Sequence, residues 1–97
     1  MIRREGERAC VDGPVTLANV TRVLEEGYAQ LRSGARIVDL AGVTELDSSL
    51  LAALLAWLRD ARSRNAELAF ANLPEGLTTI ARLYGVAELL PQDAASH

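Results

Sequence analysis

Apolar and polar positions change period several times along this 97-residue chain, and each change marks an element. In Arg8-Ala9-Cys10-Val11-Asp12 the apolar Ala9 and Val11 alternate with their neighbours, the period of a half-buried strand. Ile2-Arg3-Arg4 precedes it across a Glu5-Gly6 turn, so the chain opens on a hairpin. Gly13-Pro14 breaks the strand, and Thr16 is placed to cap a helix. Leu17, Val20, Leu24, Tyr28 and Leu31 then recur at three- and four-residue spacing, one helical face. Gly27 falls on that face and permits close packing. Arg32 and Gly34 suit the helix end. Ile37 to Leu40 reads as a central strand, Ala41-Gly42 as a turn and Val43 to Leu46 as a connection. Asp47-Ser48-Ser49 opens the longest helix, expected over residues 49–64, striped by Leu51, Leu54, Leu55 and Leu58 and ended by Asn65. Residues 67–71 form another strand. Pro74 and Glu75 begin a third helix, with an apolar face of Leu77, Ile80, Ala81 and Tyr84 and a stop at Gly85. Val86, Leu89 and Leu90 are expected to pack back on the core before Pro91.

The order is β-β-α-β-α-β-α. Strands alternating with helices imply parallel pairing through right-handed crossovers, and the hairpin adds an antiparallel strand. The expected fold class is α/β, a mixed four-stranded sheet with helices mainly on one face. The length suits a single domain over residues 1–91, with 92–97 as a flexible tail.

Composition narrows the function classes. A net charge of −3 leaves no basic surplus for phosphates, which argues against nucleic acid and against an anionic lipid surface. The N-terminus has no apolar signal-like core. The longest uncharged apolar run, Leu50 to Leu58, is too short to span a bilayer, so no membrane insertion and a cytoplasmic location are expected. Attachment beneath a membrane protein stays open. Cys10 is the sole cysteine and reads as a small strand residue, with a reactive thiol as the alternative. The sole histidine, His97, ends the chain, a poor place for a catalytic base. There is no metal-ligand spacing and no glycine-rich phosphate loop. Glu25-Glu26 reads as solvated charge. The chain is therefore expected to be no enzyme and to need no cofactor or metal.

The segment Val43 to Leu51 puts Asp47, Ser48 and Ser49 where a strand-derived loop enters a helix. Free backbone N–H groups and the positive end of the helix dipole lie there. Asp-Ser-Ser before an apolar run is an ordinary helix cap. It is also a place where a phosphoserine is electrostatically tolerable, although Asp47 and Glu45 would repel it. Both readings stand on the residues alone.

Leu46-Asp47-Ser48-Ser49-x-Leu51, between a strand and a long leucine-rich helix, resembles the signature of the STAS domain family. That family is named for sulphate transporters and anti-sigma-factor antagonists. Ile37-Val38-Asp39-Leu40 is similar to the family's strand ending in Asp-Leu, and Gly13-Pro14-Val15-Thr16 to its earlier turn. The resemblance runs from the hairpin to Pro91. The short length and the ending Ala81-Arg82-Leu83-Tyr84-Gly85-Val86 … Leu89-Leu90-Pro91 look most like the MlaB (Ttg2E-type) branch. What that branch implies is a small subunit of a phospholipid-transporting ABC complex that binds the ATPase subunit and, through it, the permease, in a system maintaining outer-membrane lipid asymmetry. The anti-sigma-factor-antagonist branch implies instead a regulatory switch, with Ser48 as phospho-acceptor and an anti-sigma factor kinase as partner. Leu50 stands where the family normally has Gly, and its bulk beside the serine is expected to hinder a kinase.

Winding the long helix at 100° per residue puts Leu50, Trp57 and Ala61 to one side of the leucine stripe and Ser48, Ala52, Ala56 and Arg59 towards the other. Trp57 there reads as half-buried packing, with an interface anchor as the alternative. Asp47, Ser48, Ser49, Ala52, Ala56 and Arg59, with the start of the third helix, are the expected partner-binding face. The competing reading is an alanine-rich solvent face chosen for helix propensity.

Overall fold

The computed structural model describes residues 1–93. The elements run β1 (Ile2–Glu5), β2 (Arg8–Val15), α1 (Val20–Arg32), β3 (Ile37–Leu46), α2 (Ser48–Ser63), β4 (Ala69–Ala71) and α3 (Glu75–Leu83), followed by a 3-10 turn at Ala87–Leu89. The sheet order is β1-β2-β3-β4. β1 pairs antiparallel with β2, while β2, β3 and β4 are mutually parallel. This is the mixed four-stranded α/β architecture expected from the pattern.

Alternation along the strands sorts the two sheet faces. Ala9, Val11, Val38, Leu40 and Phe70 join the helices in one hydrophobic cluster. Arg8, Asp12 and Asp39 alternate with them on the far side, where Arg8 bridges Asp39 at 2.9 Å and Asp93 at 3.5 Å. Burial pushes the Asp39 carboxyl up, but the Asn72 amide, the Ala41 N–H and Arg8 together outweigh it and hold it below the ordinary carboxylate range. Burial pushes the Cys10 thiol up, which disfavours the reactive thiolate.

Each helix ends as its sequence suggests. After α1, α2 and α3 come Gly34, Asn65 and Gly85, all at positive φ. Behind them Ala35, Ala66 and Val86 donate to Gln30, Ala61 and Ala81, six residues back counting inclusively. These are Schellman closures, which satisfy orphan carbonyls.

The strands and helix starts depart from the sequence pattern in several places. β2 continues through Gly13-Pro14 to Val15, and β3 continues through the expected connection to Leu46, the register shifting at Cys10/Asp12 and Gly13/Val15 to absorb the irregularity. Gly42 is part of that device: a β-carbon there would collide with the Asp12 carboxylate. α1 starts at Val20, not at Leu17. Asn19 stands at the cap position, accepting from the Thr16 N–H and donating to the Pro14 carbonyl, so the loop coils before the helix begins. Leu17 is left 79% exposed. Tyr84 and Leu89, assigned to the core face, are also exposed, whereas Leu90 is buried. Gln92 and Asp93 are not a loose tail. Phe70 donates to Pro91 and accepts from Asp93, which lays this segment along β4. The expected tail beyond Asp93, His97 included, lies outside the described residues.

The rotation of α2 departs furthest from the pattern. Leu50 and Trp57, read as flanking positions, are both 0% exposed, and Leu55 is only partly buried. The buried face is centred on Leu50, Leu54, Trp57, Leu58 and Ala61. Trp57 lies against Gly27 of α1, where a β-carbon would overlap the indole, and its Nε1 donates to the Leu24 carbonyl at 3.0 Å. The glycine therefore costs helix propensity and provides the slot for the ring. Gly27→Ala would gain under about 1 kcal/mol of propensity but overpack a ring fixed by its hydrogen bond, a penalty of about 1–3 kcal/mol. Urea denaturation followed by far-UV circular dichroism is expected to show net destabilisation for Gly27→Ala, and Trp57→Ala a loss of about 3–5 kcal/mol.

Candidate functional site

The start of α2 is built from the residues upward by one carboxylate. Asp47 holds extended backbone, and its Oδ1 accepts from the Ser49 N–H at 2.9 Å and from the Ser49 hydroxyl. Its Oδ2 accepts from the Leu17 N–H at 2.9 Å. One side chain thus caps α2 and ties it to the β2–α1 loop. The Ser49 hydroxyl and the backbone N–H groups of Leu17 and Ser49 stabilise the charged form and hold the carboxyl below the ordinary range.

The expected site residues therefore divide. Asp47 and Ser49 spend their polar atoms on each other and on Leu17, so both build the helix start that carries the site. Ser48, the first residue of α2, is exposed. Ala52 and Arg59 are exposed farther along the same helix. Ala56 is half-buried, in the seam with α1 beside Tyr28, Asp60 and Ser63. At the start of α3, Glu75 and Gly76 are exposed, and Gly76 lies against Leu46 at the end of β3. Leu50 points into the core and adds no bulk beside Ser48, which corrects the expected obstruction.

A family model described as "Mlab, STAS domain" matches residues 3–91. The chain belongs to this STAS domain family. No match is found among curated proteins. Solved structures share its fold at low identity. A Thermotoga maritima protein assigned as an anti-sigma factor antagonist superposes with a TM-score of 0.75 at 15% identity, covering 99% of this chain and 87% of that one. The anti-sigma factor antagonist SpoIIAA in its unphosphorylated form gives 0.69 at 11%, covering 97% and 87%. The Bacillus cell fate determinant SpoIIAA in its phosphorylated form gives 0.66 at 9%, covering 97% and 90%. STAS domains act through protein–protein contacts and are in general regulatory, non-catalytic modules. Among the described residues no helix of this STAS domain is long and apolar enough to cross a membrane, and no group of three or more His, Cys, Asp or Glu is placed to hold a metal ion.

Sequence reasoning missed Leu17 at this site. Its spacing matched the α1 face, and only the Asn19-centred coil reveals that it points outward beside the Asp47 clamp. The signal available in advance was Gly13-Pro14 upstream together with an asparagine two residues after Leu17.

Because the Asp47 carboxyl is lowered by folding, its stabilising effect is complete above its unfolded value, near 3.8, and fades as the pH falls through the lower folded value. Asp47→Asn is expected to lower the urea midpoint of this STAS domain at pH 7, and the gap from wild type to shrink below about pH 4. Equilibrium denaturation at pH 7 and pH 3 checks this.

Proposed function

We propose that this STAS domain is a non-catalytic accessory subunit that docks on the cytoplasmic ATPase of a phospholipid-transporting ABC complex and supports its assembly and activity. The observation that carries the reading is the match to the MlaB-type family across residues 3–91. The exposed run Ser48, Ala52 and Arg59 on α2 supports it as the docking face, with the start of α3 beside it. Small side chains there let a partner backbone approach closely, and Arg59 offers a charge to a partner carboxylate. Asp47 contributes by fixing the N-terminus of α2, so the face is presented without an ordering cost on binding. Such a subunit works at the inner-membrane face, with contact to the permease made through the ATPase and with no span of its own.

A second reading has its own observation. Ser48 is exposed at the first position of a capped helix, and the solved structures with this fold include an antagonist in phosphorylated form. A phosphoryl group on the Ser48 hydroxyl would meet the positive end of the α2 dipole and repel Asp47 and Glu45. That changes what docks on α2 while leaving the fold intact. The partner in that case is an anti-sigma factor kinase.

Co-expression with the ABC ATPase and permease of the same genome separates the two. The first reading expects a stable complex that Ala52→Arg weakens at least about tenfold, by steric and charge conflict at the face. Absence of any complex with wild-type protein on native purification would sink it. The second expects one added phosphate in intact mass after incubation with a cognate kinase, lost in Ser48→Ala, and normal function of Ser48→Ala would exclude it.

A further inference from the structure

A second surface adjoins the proposed docking face towards the C-terminal end of α2. Leu55, Leu58, Arg59 and Arg62 of α2 and Leu89 of the 3-10 turn line an open groove of about 300 Å³. Leu89 is 49% exposed, an unusual setting for a residue whose neighbours Leu90 and Val86 pack on the core. The charges around α2 are sorted. Asp60, on the α1 side, is held by Arg32 at 3.0 Å and Arg64 at 3.1 Å. Elsewhere Arg3, Arg8 and Arg36 have carboxylate partners, whereas Arg4, Arg22 and Arg82 reach none among the described residues. Arg59 and Arg62, one turn apart, reach no carboxylate among the described residues. A protein of net charge −3 thus keeps two uncompensated guanidinium groups beside a strip of leucine.

We infer that this groove binds a peptide segment of a partner protein that carries aliphatic or aromatic side chains flanked by Asp or Glu. The leucine side chains of the lining remove such side chains from water. The two guanidinium groups take carboxylates in paired hydrogen bonds that a lysine could not match. The volume is at the small end for ligand cavities and the groove is open to solvent, which suits side chains of a bound segment more than an enclosed small molecule. The inference does not depend on the partner being an ABC ATPase. Arg59 alone is shared with the proposed docking face.

A random dodecapeptide library displayed on phage and selected against the full chain tests it. Enriched peptides are expected to hold Asp or Glu within four residues of Leu, Ile, Phe or Trp. A fluorescein-labelled enriched peptide, followed by anisotropy, is expected to lose at least about tenfold in affinity for Leu89→Asp and for Arg59→Glu/Arg62→Glu. Arg22→Glu, remote on α1, is expected to bind like wild type, and circular dichroism checks that each variant folds. Ala52→Arg should retain peptide binding while losing the ATPase, and Leu89→Asp should do the reverse, so the two surfaces fail separately. Failure to enrich any peptide, enrichment without acidic bias, equal binding to Leu89→Asp, or displacement by oleate in place of peptide binding would each overturn the inference.

Discussion

The indole of Trp57 seated on Gly27 fixes how α1 and α2 lie on the sheet. It is a side chain packed against the backbone of a facing helix, so it sets the distance between the two axes in a way that branched aliphatics on both sides do not. The hydrogen bond from Nε1 to Leu24 then fixes rotation, because only one orientation of the ring satisfies the donor. With Trp57 inward, Leu50, Leu54 and Ala61 follow inward, and Ser48, Ala52 and Arg59 have nowhere to go but out. The outward face of α2 is a consequence of that one packing choice.

The same helix is held at both ends by carboxylates. Asp47 joins its first turn to the β2–α1 loop, and Asp60 joins its last turn to Arg32 of α1 and to Arg64. Neither tie is worth much alone at the surface. Their position matters more than their strength, because they tether the start of the helix to the β2–α1 loop and its end to α1, on either side of the Trp57 contact. A face used for docking gains from this rigidity, since order already present in the free protein is not taken from the binding energy.

Element order, helix ends and the mixed sheet were legible because each rests on local chemistry. Gly34, Asn65 and Gly85 end helices by adopting the left-handed conformation that few other residues accept. Ala9 and Val11 alternate because one sheet face is covered. What was not legible depended on non-local partners. A leucine stripe at 51, 54, 55 and 58 is compatible with several rotations of α2, and the sequence does not say that Gly27 opens a slot deep enough for Trp57 to select one of them. Pro14 and Gly42 look like breakers, yet β2 and β3 run past them, because two register shifts and the Asp12–Gly42 approach accommodate what an ideal ladder would reject. Leu17 kept helical spacing from Val20, but the Asn19 side chain competed for the backbone and delayed the helix.

Asp47, Ser48 and Ser49 show how a motif splits between fold and function. Read as letters, all three are equivalent oxygen donors at a helix start, and capping and docking compete for the same residues. In space the competition is resolved atom by atom. Asp47 and Ser49 satisfy each other and Leu17, and their loss is expected to register first as loss of the helix start. Ser48 has the adjacent position but faces solvent, so the fold asks nothing of its hydroxyl. A residue that the structure does not need, placed at the positive end of a rigid helix and beside an exposed leucine, is free to be chosen for what it meets. Capping and the proposed recognition are then one arrangement, in which the first orients the second.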